Sequence, residues 1–482
     1  MENSVRPLPW IALSILLSAP FRAASAGASW AVYETARDNG RRMERLADAP
    51  LPPPPATGGA GSTIACDPAR TFQSIDGFGG ALTESSAWVL AQLPADRRVA
   101  VVREYYDPKS GLGYTLARTH VNSCDFSLGS WSLDATAGDT ALARFSLDPM
   151  RKWVLPLIHE ARKAAGAGNF HLLASPWSPP SWMKTNGRMT DGGSLRPEYR
   201  QAWADYFVRF VRDMESQERI PVWGVTVQNE PAAVQTWESC IFTAAEERDF
   251  VRDQLGPALA KAGLSSVRLC VLDHNRDMMD EWTRTIYGDP AAARFVWGTA
   301  MHWYVSDDYA APARAHDAFP EKPTLFTEGC CDRAMEKGKW TLGRWEHGER
   351  YAHSMINDFR NWVCGWIDWN IVLDQTGGPN HVGNFCDAPV IVDTETGEVR
   401  HQSSFYYIGQ FSRFVHPGAR RIESHGGPAG IESIAFANPG GGIAVIVLNT
   451  AESPVDFQLA ADGEARPCSI PAHAIQTYVR ER

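Results

Sequence analysis

Several features are missing from this 482-residue sequence, and each absence removes a class of function. No run of Lys or Arg breaks a net charge of −10, so there is neither a phosphate-binding stripe nor a patch for an anionic membrane. Nucleic acid is therefore not an expected partner, and a neutral substrate fits better. Beyond the N-terminus no stretch reaches about 18 uninterrupted apolar residues, so no integral membrane segment is expected after signal cleavage. The nine cysteines form no Cys-x-x-Cys, and no His spacing resembles a zinc site; no metal and no cofactor are expected, and buried free thiols are the default. No Asn-x-Ser/Thr acceptor occurs, which points to a bacterial periplasm or exterior. No Gly-x-Gly-x-x-Gly loop follows an apolar strand, since Gly77-Phe78-Gly79-Gly80 lacks that spacing, and this disfavours a doubly wound open sheet.

What is present describes an ordinary globular chain, 44% hydrophobic and 21% charged, able to bury a sizeable core. Tryptophan is plentiful, 18 against 13 Tyr; most belong in a core, but flat indole faces also suit the C–H faces of pyranose rings. Arg6, the apolar stretch Trp10 to Ala19 and the small-x-small site Ala24-Ser25-Ala26 read as a signal peptide over residues 1–26, and so as export. Residues 27–70 hold short strands at Trp30 to Thr35 and Ser62 to Cys66, split by the linker Pro52 to Gly59. From 71 to 415, apolar strands alternate with helical periodicity, the signature of β/α units. The strands fall at Phe72 to Phe78, Tyr114 to Val121, Phe170 to Ser175, Val222 to Gln228, Val267 to Leu272, Phe295 to Trp303, Thr324 to Thr327 and Val363 to Trp369. Eight strands predict an α/β fold, the (β/α)8 TIM barrel. One intervening helix, Arg200 to Met214, puts Trp203, Tyr206, Phe207, Phe210, Val211 and Met214 on one stripe, and another opens on the capping box Thr243-Ala244-Ala245-Glu246. Residues 416–482 turn all-β, with a hairpin at Asn438 to Gly442, and the simplest cover for that unit is the N-terminal strands, giving an associated β-sandwich built from both chain ends.

A TIM barrel builds its site at the C-terminal ends of its strands, so polar residues just past each strand carry the chemistry. They are Arg118 and Asp125 after strand two, Trp177 after three, Asn229 and Glu230 after four, Asp273 and His274 after five, His302 and Tyr304 after six, Glu328 after seven, and Asp368 and Trp369 after eight. Glu230 and Glu328 end their strands abruptly before Pro231 and Gly329, on opposite sides of one mouth. A single carboxylate there serves equally well as a salt bridge or a helix cap. Two facing carboxylates are what glycosidic cleavage needs, one to protonate the leaving oxygen and one to attack, about 5–5.5 Å apart for retention and roughly 6.5–9.5 Å for inversion.

The motifs Asp76-Gly77-Phe78-Gly79-Gly80-Ala81, Ser123-Cys124-Asp125-Phe126-Ser127, Leu173-Ala174-Ser175-Pro176-Trp177, Asn229-Glu230-Pro231, Met301-His302-Trp303-Tyr304, Glu328-Gly329-Cys330, Asp368-Trp369-Asn370 and Gly378-Pro379-Asn380 run in order along the chain. In them the sequence resembles the glucosylceramidase family, family 30 of the glycoside hydrolases. The resemblance implies a retaining mechanism with Glu230 as acid/base and Glu328 as nucleophile. It implies that Asp125, Trp177, Asn229, Trp369 and Asn384 contact the sugar, with Arg118, His302 and Tyr304 supporting them. Residue chemistry adds roles: Asn229 hydrogen-bonds a 2-hydroxyl, Arg118 keeps Glu328 ionised, and Tyr304 donates to it.

The sequence lacks the N-terminal cysteine cluster of animal lysosomal members, and its loop Ala232 to Phe242, with Trp237 and Glu238, looks more like that of microbial ones. The expected substrate is a β-glucoside, glycolipid or glucan: glucosylceramide first, with β-1,6-glucanase and β-xylosidase activities as alternatives. A non-catalytic glycan-binding protein would keep the aromatic platforms without needing both glutamates. A metal-dependent hydrolase would need a His-rich set that the strand ends lack.

Overall fold

The computed structural model describes residues 30–47, 62–332 and 341–480. The signal peptide over 1–26 and the linker Pro52 to Gly59 lie outside the described residues.

Eight parallel strands close into a barrel: β1 (Gly77–Ala81), β2 (Leu116–Val121), β3 (His171–Pro176), β4 (Val222–Thr226), β5 (Arg268–Asn275), β6 (Gly298–His302), β7 (Thr324–Glu328) and β8 (Val363–Asn370). Each pairs with its neighbour in order, and β8 returns to β1. The strand period of two sorts the interior into layers. Leu116, Leu173, Ala300 and Leu325 form a buried apolar layer with Cys270, Cys364 and Ile367. Two residues further along β2, β3, β6 and β7 stand Arg118, Ser175, His302 and Thr327, all buried. The barrel is therefore dry and apolar in its middle and polar just below its C-terminal mouth. At the opposite end Arg268 lies between Trp223 and Trp297, 4.3 and 4.4 Å from their ring centroids, and closes the bottom.

The first barrel strand differs from the expectation of Phe72 to Phe78. Thr63–Ser74 is a strand of the other sheet, and the barrel begins at Gly77. The glycine run forms β1 because β1 lies close against β2: a Cβ at Gly79 would sit 2.0 Å from the Leu116 carbonyl oxygen. The fourth strand also stops early, at Thr226, and residues 227–230 peel off into the mouth. The helix Arg200–Ser216 buries its six-residue aromatic and aliphatic stripe completely, and Thr243 caps Ala244–Phe250 through the expected box.

A nine-stranded sheet is assembled from both chain ends. Trp30–Ala36 pairs with Ala474–Arg480, and Thr63–Ser74 lies between Val455–Ala461 and Arg420–Gly426. Its Ile443–Asn449 strand is buried on both faces. Ile443, Val445 and Val447 join the sandwich's own core, whereas Ala444, Ile446 and Leu448 pack into the barrel cluster. That strand reads as a continuous apolar run for this reason. A small sheet that the sequence did not reveal, Val372–Asp374, Val390–Val392 and Val399–His401, carries an extra loop to the mouth after β8. None of the nine cysteines is in a disulfide, and all are buried.

Candidate active site

The polar layer of the barrel is organised by Asp273, at the end of β5. Its Oδ2 accepts from Arg118 Nη2 at 2.8 Å and Thr226 Oγ1 at 2.7 Å, and its Oδ1 from His302 Nε2 at 3.1 Å and Thr327 Oγ1 at 2.7 Å. Burial opposes ionisation, but the Arg118 charge and the His302 hydrogen bond hold its pKa well below the usual carboxylate range. Four strands thereby share one buried anion. Arg118 completes the floor: Nε donates to Ser175 Oγ at 3.0 Å, Nη2 also to Asn229 Oδ1 at 2.7 Å, and Nη1 to Glu328 Oε2 at 2.5 Å. Because the Asn229 oxygen is spent on Arg118, its amide NH2 is left for the pocket above.

That pocket, about 340 Å³, is lined by Asp125, Trp177, Asn229, Glu230, Tyr304, Glu328, Trp369 and Asn384, eight of the ten residues to which the sequence assigned a site role. The other two, Arg118 and His302, lie fully buried beneath it. Trp177 and Trp369 stack at 5.3 Å and 25°, forming a continuous aromatic wall with the Arg118 guanidinium 4.8 Å from the Trp177 ring. Asn384, on the loop after β8, donates Nδ2 to Asp125 Oδ2 at 3.0 Å, and Asp125 Oδ1 is buried without a partner among the described residues. Burial, with the Glu328 charge, raises Asp125 to about 8, so the acid is neutral and able to donate at neutral pH.

The two glutamates differ in their hydrogen bonds. Each Glu328 oxygen has a dedicated donor, Arg118 on Oε2 and the Tyr304 hydroxyl at 2.8 Å on Oε1. Glu230 sits at φ 48°, left-handed for a non-glycine residue, and is held there by its own N–H on the Asp273 carbonyl at 2.9 Å. The nearest donor to its carboxyl is His302 Nδ1, 3.5 Å from Oε1, with His274 Nδ1 at 3.9 Å. Burial is the largest influence on both carboxyls and acts upward. It leaves Glu328 raised, with the Glu230 charge adding to it and His302 and Arg118 opposing. On Glu230 the His302 hydrogen bond and the two histidine charges outweigh burial and bring it below the usual glutamate range. His302 itself, against its burial, is lifted to about 9 by the Glu328 charge and by hydrogen bonds to Asp273 and Glu230. His302 Nδ1, without a hydrogen-bond partner among the described residues, stands 3.5 Å from Glu230 Oε1 as its nearest proton source, while Glu328 accepts from two donors.

Sequence reasoning picked out Asp273 and His274 as strand-end residues without giving them a role, and passed over Cys330, Cys386 and Asn275, which also line the pocket. The signal for Asp273 was available, a charged pair at the end of an apolar strand. Asp368 stays outside the pocket, accepting from the Tyr351 hydroxyl at 2.6 Å. Among the described residues no group of three or more His, Cys, Asp or Glu is placed to hold a metal ion.

Comparison with known proteins is consistent along the whole chain. The model for the glycosyl hydrolase family 30 TIM-barrel domain matches residues 75–415, and that for the family's β-sandwich domain matches residues 418–478. Lysosomal acid glucosylceramidase of Mus musculus is 35% identical over 466 residues, 93% of this chain and 88% of that protein. Among solved structures, SrfJ from Salmonella typhimurium superposes with a TM-score of 0.87 at 31% identity, covering 94% of this chain and 100% of that one. The endo-β1,6-glucanase BT3312 superposes with a TM-score of 0.83 at 29% identity, covering 94% and 99%.

Proposed function

The chain belongs to glycosyl hydrolase family 30, and on that premise we propose that it is a retaining β-glucosidase acting on a glucoside with an apolar aglycone, glucosylceramide-like, in an exported setting. Glu328 attacks the anomeric carbon while Glu230 protonates the departing oxygen. A water then attacks the glycosyl-enzyme, giving its proton back to Glu230, and the configuration is retained. The proton for Glu230 is held next to it on His302 Nδ1; a bound aglycone that excludes water strengthens the upward effect of burial on Glu230 and draws that proton across. The free Asn229 amide faces the 2-hydroxyl, and the Trp177–Trp369 wall faces the ring's C–H surface.

The observation that carries the aglycone reading is the rim. Four large hydrophobic residues are well exposed among the described residues, and three of them stand on loops at the C-terminal end of the barrel: Leu128 at 42%, Val234 at 68% and Val305 at 70%. Val305 and Ala233 line the pocket itself. Apolar side chains crowded around one opening mark a surface that meets apolar matter. Trp237, also in the lining, is the feature that favours a glucan instead, as a platform for a second sugar.

A side-by-side product assay on glucosylceramide in mixed micelles, β-1,6-glucan, a β-xyloside and an aryl β-glucoside ranks these substrates. Release of glucose from the first and the last is expected. A 2-fluoro β-glucoside is expected to add one sugar mass to Glu328; no adduct, together with unchanged turnover in Glu328→Gln, overturns the mechanism.

A further inference from the structure

Three loops meet beside the pocket with one imidazole between them. His381 belongs to the extra loop after β8, three residues before Asn384. Its Nδ1 is 3.0 Å from the Ser127 carbonyl oxygen, on the loop after β2, and its Nε2 is 3.3 Å from Glu238 Oε2, on the loop after β4. The second contact is close but poorly aligned, an ion pair rather than a full hydrogen bond, and neither atom has another partner among the described residues. A carbonyl and a carboxylate both only accept, so a neutral ring would turn a lone pair toward one of them. The arrangement is complete only with both nitrogens protonated. His120, in the same wall, shows the contrast: Nδ1 lies 2.6 Å from the Asn122 carbonyl oxygen while Nε2 accepts from the Glu84 N–H at 3.1 Å, which suits a neutral ring. Glu238 is itself fixed, its side chain fully buried and its Oε1 accepting from Ser123 Oγ at 2.6 Å.

We propose that His381, as an imidazolium, is a positioning residue that clamps these three loops together and so holds the Asn384–Asp125 pair against the bound sugar. The proposal rests on the sugar-site reading given above. The titratable groups facing His381 are Glu238 from the loop after β4 and Asp125 from the loop after β2. Burial disfavours the charged ring, but the Glu238 carboxylate beside it outweighs that effect and leaves His381 above its ordinary 6.5. Glu238, likewise against its own burial, is held below its ordinary 4.5 by His381 and Ser123. Both shifts favour the charged, closed clamp. It opens as pH rises through the His381 value, or falls through that of Glu238.

The test is made on the full chain by 15N-histidine NMR, with His381 assigned through His381→Gln, alongside kinetics on a soluble aryl β-glucoside. Both His381 nitrogens are expected to be protonated at pH 7 and to lose that state in Glu238→Gln. His381→Gln is expected to raise KM about tenfold with kcat changed less than threefold, and to remove a rise in KM that the parent shows at alkaline pH. A purely structural role would not produce the pH-dependent part. A neutral His381 at pH 7, or an unchanged KM in His381→Gln, overturns the proposal. A parent protein that hydrolyses no β-glucoside defeats the sugar-site reading, and the positioning role with it, while the NMR titration still decides separately whether the clamp is charged.

Discussion

Replacing Asp273 with Asn separates charge from shape at the floor of the pocket. An amide of the same size keeps its oxygen on Arg118 and Thr226, which turns its NH2 toward His302 and Thr327. The Thr327 hydroxyl rotates to accept. His302 Nε2 accepts only by giving up its proton, so the neutral ring, with its hydrogen on Nδ1 toward Glu230, is favoured more than in the parent. In the parent protein His302 is raised from 6.5 to about 9, equivalent to about 3 kcal/mol in favour of the charged ring. Glu328, Asp273 and Glu230 share that effect, so losing one of them removes about 1 kcal/mol and lowers the midpoint by about one unit. Deleting one partner of a buried ion pair costs about 3–5 kcal/mol; an isostere that keeps the hydrogen bonds, with Glu328 still on Arg118, should lose about 2 kcal/mol.

The assay is the thermal midpoint followed from pH 6 to pH 10. A folded-state value above the ordinary one means that the charged ring stabilises the fold fully below about 6.5, and that this contribution disappears as pH rises through about 9. Asp273→Asn is expected to melt about 2 °C lower at pH 7 and to lose the His302 contribution about one unit earlier. Its kcat/KM on an aryl β-glucoside should fall at least tenfold, because Arg118 and His302 both lose the negative charge that positions them. Equal melting with an unchanged pH dependence would refute the assignment of Asp273 as the ionised hub.

Tyr304→Phe removes the hydroxyl 2.8 Å from Glu328 Oε1, and kcat should drop about tenfold with KM nearly unchanged; an unaltered kcat would show that the contact does not serve the nucleophile. Gly329→Ala places a Cβ within 2.7 Å of Phe326 Cζ and 2.8 Å of Trp303 Cε2, so the segment carrying Glu328 must move, and both the melting midpoint and kcat should fall. The pair Val234→Ser and Val305→Ser should slow hydrolysis of vesicle-borne glucosylceramide about fivefold or more while leaving a soluble aryl β-glucoside unaffected; parallel losses on both substrates would argue against an apolar rim function.

Residues that repeat a simple period were legible without coordinates. Apolar strands such as β2 and β7, alternating along the chain with helical stripes such as that of Arg200–Ser216, gave the barrel, and the barrel then placed Glu230 and Glu328 at one mouth. What stayed hidden depends on contacts between distant segments. The first barrel strand was expected at Phe72 to Phe78 and lies at Gly77–Ala81, because its strand role is set by the closeness of Leu116, which only the closed barrel supplies. Asp273 looked like one polar residue among several, since its weight comes from four donors on four other strands. His381 carried no signal, because Ser127 and Glu238 lie 254 and 143 positions away and meet it only across the mouth.

The pairing of Trp30–Ala36 with Ala474–Arg480 has a consequence for biosynthesis. On the ribosome the first of these strands emerges with only the two-residue strand Glu44–Arg45 to join, and its long partner follows only after more than four hundred further residues have been added. During that interval Trp30 and its neighbours wait as an open edge, a template for any passing strand. The barrel between them has time to close by local β/α additions, so the outer sheet is the last part to knit, when the tail folds back over a nearly finished body. Truncation near residue 474 should therefore leave a barrel with a permanently unsatisfied seam, prone to associate with a second copy of itself.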